Sequence, residues 1–122
     1  MKQLAKKLEL PLARISGYNQ AVHALTFGCK HSSPGERRNA INFFGRICER
    51  ADAVMVLGNA LADFGDKLKD EERIEIARAL SKAPAKSLCR ELAVSFLNRA
   101  SKQELSASVK MELLSALADL AD

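Results

Sequence analysis

The chain has little of what sheet proteins, secreted scaffolds and most enzymes are built from. It contains no Trp, one Tyr and five Phe, so aromatics make up 5% of its 122 residues. Sheet cores draw on aromatic and β-branched side chains, and platforms for stacked bases need exposed rings. The composition argues against both. The three cysteines, Cys29, Cys48 and Cys89, are odd in number and widely spaced. Such a set is not a disulfide framework and predicts reduced thiols in a cytoplasmic protein. No apolar run reaches the roughly eighteen residues of a membrane span, and no continuous apolar block follows the basic N-terminus as in a secretory leader. The six glycines are scattered, without a phosphate-cradling loop among them.

What is present is aliphatic and charged. Apolar residues make up 48% and charged residues 28% of the chain, with a net charge of +4. The charge is uneven. Residues 1–50 carry nine Lys or Arg against three Glu, and residues 51–122 carry ten against twelve acidic residues. An asymmetry of this kind marks either a side that faces a polyanion or a solvated basic face.

Local signals place the helices. In Ser33-Pro34-Gly35-Glu36 the serine can cap a helix whose first residue is Pro and whose third is Glu, a capping box. Ser101-Lys102-Gln103-Glu104 repeats the spacing, and Asp70, Glu71 and Glu72 suit the positive end of a helix dipole. Apolar residues recur at spacings of three and four, never with period two. Six helices are expected, at about 2–9, 12–26, 34–64, 67–82, 85–99 and 102–120, the third reaching as far as Phe64 with Gly45 and Gly58 as kinks or close-contact points. No repeat consensus is visible. The expected fold is an all-α, single-domain helical bundle of five to six helices with short connections. Residues 1–27 form an N-terminal helical hairpin and residues 34–122 the bundle core.

One segment has a more specific pattern. Leu4-Ala5-Lys6-Lys7-Leu8-Glu9-Leu10-Pro11-Leu12-Ala13-Arg14-Ile15-Ser16-Gly17-Tyr18 places Ala5 where two helices would cross and Leu8, Leu10 and Ile15 in the angle between them. It resembles the helix-turn-helix of phage-repressor-like DNA-binding proteins, with Glu9 where such turns usually carry Gly. The resemblance implies Arg14, Ser16 and Gln20 on a recognition helix, with Lys6 and Lys7 near the DNA backbone. A second basic set, Arg37, Arg38, Arg46 and Arg50, can either track phosphates or pair with the acidic helix start at 70–72.

Catalytic and metal chemistry find less support. Cys29 and His31, with His23 upstream, offer three soft ligands without a fourth, so no metal and no cofactor is expected. Cys29 with His31, or Ser33 with His23, lacks a third group to orient the pair. Glu71, Glu72 and Glu75 read as a solvated helix start. The expected protein is therefore not an enzyme. It is a non-catalytic regulatory or adaptor protein that docks a helical surface onto a protein partner, or onto itself, without membrane contact. The alternative is a nucleic-acid-binding regulator using residues 4–18 or the basic helix 35–50. The helix expected at 34–64 is apolar on much of its circumference, and its stripe of Val54, Leu57, Leu61 and Phe64 is the expected partner or dimer surface.

Overall fold

A computed structural model of the chain describes residues 18–26 and 31–121. Most of the helix-turn-helix-like segment, Leu4 to Gly17, lies outside the described residues, as does Cys29. Six α-helices are present among the described residues: α1 (Tyr18–Leu25), α2 (Pro34–Gly45), α3 (Ala51–Asp63), α4 (Asp70–Leu80), α5 (Leu88–Gln103) and α6 (Ala107–Leu120), with a 3₁₀ turn at Gly65–Lys67. Helix accounts for 77% of the described residues, and none of them is in a strand.

The Ser33 capping box forms. Its hydroxyl accepts from the Glu36 amide at 3.1 Å, and the Glu36 carboxylate accepts from the Ser33 amide at 3.2 Å. The second S-x-x-E does not start a helix. Ser101 is buried inside α5 and its hydroxyl donates to the Asn98 carbonyl. Ser106, five residues on, caps α6 instead. Likewise Ser87 caps α5, so that helix begins at Leu88 and not beside Pro84.

The helix expected at 34–64 is broken. Residues 46–50 form turns, with Arg50 extended at φ −102° and ψ 132°. The cause is the pattern of its apolar residues, which shifts phase near Cys48. A single straight helix cannot turn both stripes toward one core. With a break, α2 buries Ala40, Ile41 and Phe44, and α3 separately buries Val54, Leu57 and Leu61.

The helices pack as two rows of parallel elements. Along one row, Arg37 of α2 meets Glu72 of α4, and Asp70 and Arg78 of α4 meet Ser106 and Glu112 at α6. Along the other, α1 touches α3, while Glu49 and Asp63 at the two ends of α3 meet Cys89 and Arg99 of α5. Consecutive helices are antiparallel, so the described residues form three helical hairpins stacked side by side, as in an α-solenoid. The α3–α5 contact is the most extensive. A Cβ on Gly58 would lie 2.1 Å from the Phe96 ring, so only glycine admits this approach.

The stacking has a period of 36 residues. Leu25, Leu61 and Leu97 are buried at one level of the row α1, α3, α5, and Ala24, Ala60 and Phe96 at the level beside it. In the row α2, α4, α6 Phe44, Leu80 and Ala116 correspond, as do Ile41, Ala77 and Leu113.

Candidate functional site

The basic residues of the first hairpin are largely committed to neighbours. The Arg37 Nε lies 2.8 Å from Glu72 Oε2, and both side chains are buried. Arg37 Nη1 also donates to the Ser32 carbonyl, while Glu72 Oε1 accepts from the Lys69 amide at 2.8 Å and so caps α4. Arg38 faces Glu75 at 3.6 Å. Arg50 is mostly enclosed, pairs with Asp52 at 3.4 Å, and keeps its Nη1 out of solvent. Arg46 and Gln20 are exposed. Lys6, Lys7, Arg14 and Ser16 lie outside the described residues. Arg37 thus ties α2 to α4, Arg50 is held locally by Asp52, and both present little charge to a polyanion.

A second clamp joins the next two hairpins. Arg73 Nε lies 2.9 Å from Glu104 Oε1, and its Nη2 lies 2.5 Å from Asp70 Oδ1. Its Nη1 donates to the carbonyls of Gly65 and Leu68. The Glu104 carboxylate in turn accepts from the Ser106 amide at 3.0 Å. Arg73 stands 36 residues after Arg37 and does the same work, tying a helix start to the adjoining loops.

The apolar surface expected at Val54, Leu57, Leu61 and Phe64 is taken up within the chain. Val54 and Leu57 are wholly buried, Leu61 nearly so, and Phe64 is half-buried against the same core. The reason is the break at 46–50, which turns this stripe inward toward the other hairpins. Val54→Glu or Leu61→Glu would place a carboxylate in the core, not at a dimer boundary.

An exposed apolar surface lies elsewhere, on α6. Val109, Leu113, Ala116 and Leu120 form its buried stripe. On the opposite side Ala107, Met111, Leu114 and Ala118 are all exposed, Met111 by 71% and Leu114 by 51%, and exposed Ala121 follows as the extended residue past the helix end. Their spacings alternate four and three, the seam of a helix made to lie along another helix. The equivalent positions hold Glu71, Glu75 and Arg78 on α4 with Lys82 just past its end, and Gly35, Asn39 and Asn42 on α2 with Arg46 at its C-cap. Sequence spacing points first to the inner stripe of this helix and misses the outer one. The outer 4-3-4-3 pattern is legible, but its orientation toward solvent requires the packing.

The remaining candidates form no reactive constellation among the described residues. His23 and His31 line one shallow surface depression with Glu36, which is occupied by its capping bonds. No group of three His, Cys, Asp or Glu is placed to hold a metal ion among the described residues. Burial pushes the Cys48 thiol up to about 11, helped by the nearby Glu49 carboxylate. Burial also raises Cys89, whose Sγ lies 3.1 Å from the Glu49 carbonyl oxygen. A thiol held in its protonated form is a poor nucleophile. Among the described residues no helix is long and apolar enough to cross a membrane. In comparisons with known proteins, no family model, no curated protein and no solved structure matches the chain.

Proposed function

We propose that the protein is a non-catalytic docking module whose outward face of α6 engages a protein partner in a regulatory or adaptor role. The observation that carries this reading is the exposed stripe Met111-Leu114-Ala118, set at register positions that are polar in both preceding hairpins. Folding does not require apolar residues there, since α2 and α4 adopt the same geometry with Asn, Glu, Arg and Lys. Contiguous exposed apolar surface is the usual signature of a binding face. Stacked hairpins suit this role because they present long, rigid helical surfaces.

The test compares the unaltered protein with Met111→Glu/Leu114→Glu, each immobilised and exposed to extract of the source cells and to labelled random DNA and RNA duplexes. Docking predicts proteins retained by the unaltered chain and lost from the double variant, with no duplex affinity tighter than about micromolar at physiological salt. Tight duplex binding by both chains, with no protein retained, would replace this reading with a nucleic-acid one.

A further inference from the structure

We infer that the recess between the C-terminal ends of α2 and α4 receives an acidic segment of the protein partner; this states that partner's chemistry within the docking reading and rests on it.

Helices α2 and α4 lie side by side in one row, and a recess of about 470 Å³ opens between their last turns. Its floor is apolar and already packed. Ile41 and Ala79 are buried, and a Cβ on Gly45 would lie 3.5 Å from that of Ala79, in ordinary contact. Its rim is cationic, with Arg46 from α2 and Arg78 and Lys82 from α4. All three are exposed.

Ion pairing within the chain leaves much of this charge unanswered. Glu75, the one carboxylate lining the recess, is divided between Arg38, at 3.6 Å, and the field of Arg78. Arg78 also pairs with Glu112 at 2.9 Å, on the α6 side. Neither Arg46 nor Lys82 has a salt bridge among the described residues.

Folding accounts for only part of the set. A cation at a helix C-terminus complements the dipole, which suits Arg46 and Lys82 taken singly. Arg78 and Lys82, however, stand four residues apart, a like-charge spacing that costs stability. Arg46 adds a third cation across the recess. The next helix of the row does without them, since α6 has Leu114 and Ala118 where α4 has Arg78 and Lys82. A cluster that the fold can dispense with, kept against its own repulsion, points to a ligand that relieves it.

The extent of the charge decides which ligand. Proteins that grip duplexes neutralise roughly six to ten phosphates, and three cations cannot track such a backbone. Glu71 and Glu75 also turn the surface negative toward the start of α4. In the other direction the face passes to the apolar Met111, Leu114 and Ala118. A small cationic recess bordered by apolar surface matches a peptide that carries a few carboxylates beside an aliphatic side chain. Arginine guanidinium groups hold carboxylates through paired hydrogen bonds.

An NMR titration of the isotopically labelled full chain tests the inference, with the peptide Gly-Glu-Glu-Leu-Glu-Glu-Leu-Gly as probe. Amide resonances of residues 41–46 and 75–82 should shift saturably, and binding should weaken as salt screens the charges. Each exposed ion pair is worth a few-fold in affinity, so the peptide with Gln for every Glu should bind about tenfold more weakly. Arg46→Gln/Lys82→Gln should lower affinity by a similar factor. Its helical circular dichroism and melting temperature should be retained, because both side chains are exposed. Equal binding of the Gln peptide, or undiminished binding by the double variant, overturns the inference. So does a random DNA duplex that shifts the same resonances at lower concentration than the peptide. If the acidic peptide leaves the spectrum unchanged while a protein is still retained by the unaltered chain and lost from Met111→Glu/Leu114→Glu, the acidic partner falls and docking stands. If no protein is retained either, both readings fall.

Discussion

Helices α4 and α6 occupy the same place in successive hairpins and differ where it is informative. Their inward residues are interchangeable in kind: Ile76, Ala77 and Leu80 in one, Val109, Leu113 and Ala116 in the other, all buried. Their outward residues are not. Glu75, Arg78 and Lys82 face solvent or ion-pair partners on α4, and Met111, Leu114 and Ala118 face solvent on α6. Packing dictates the inner set, because each hairpin buries its apolar stripe against the next. It leaves the outer set free, so the outer set reports what the molecule meets. The same division separates substitutions that unfold the chain from substitutions that change only its associations.

The largest effects belong on the inner side. Val54→Glu and Leu61→Glu each place an unpaired carboxylate at a wholly or nearly buried site. Either should cost more than about 4 kcal/mol and leave little folded protein at 25 °C. Urea titration followed by circular dichroism measures this. A folded, cooperative Leu61→Glu variant would show that the two sides of the stack are less distinct than drawn.

Next come the clamps. Arg37→Ala strands the Glu72 carboxylate inside the stack and should cost about 3–5 kcal/mol. Arg78→Ala breaks a pair whose arginine is exposed and should leave the denaturant midpoint nearly unchanged. The difference between these two denaturant midpoints, taken along one row, is the direct measure of how far burial amplifies an ion pair.

The clamps also show what is readable from sequence. The all-α class, the Ser33-Pro34 start and the later helices follow from spacing and capping chemistry, which act within a few residues. The partition of 34–64 does not, although its sign is present. Wide apolar coverage suggests a helix seeking two partners, whereas here it marks two helices out of phase. The 36-residue period escapes for a related reason. It is carried mostly by burial of dissimilar residues, such as Ala24, Ala60 and Phe96, with few identities besides Leu25, Leu61 and Leu97. Ser101 and Glu104 look like a cap because the spacing alone cannot distinguish a helix start from a helix end. The α6 face requires knowing which of two stripes the core has taken.

A smaller effect follows from Cys48, which stands at the register position of Leu120 and is buried like it. Folding favours its neutral thiol, moving it from 9.0 to about 11. This contribution to stability is therefore complete below about pH 9 and is lost as pH rises through about 11. The loss should be on the order of 2 kcal/mol. Because other groups titrate in that range, the measurement is the difference between the unaltered chain and Cys48→Ala in urea midpoint at pH 8 and near pH 11. The gap between them should close at the higher pH. A gap that stays constant would place the thiol in a wetter setting than its packing indicates.

The smallest expected change in stability is also the sharpest test of the comparison. The outward residues of α4 can be transplanted onto α6 as Met111→Glu, Leu114→Arg and Ala118→Lys. If these positions bear only on association, the triple variant should match the unaltered chain within about 1 kcal/mol. Surface substitutions remote from caps and clamps usually stay within about 0.5 kcal/mol each, and all three incoming residues are good helix formers. Its helicity should be unchanged, and any protein retained by the unaltered chain should no longer be retained. The two introduced cations would sit one turn apart as like charges, a small penalty that α4 already carries in Arg78 and Lys82. A loss of several kcal/mol would mean that the outward face of α6 is packed against part of its own chain. In that event the contrast between the two helices would belong to folding, not to recognition.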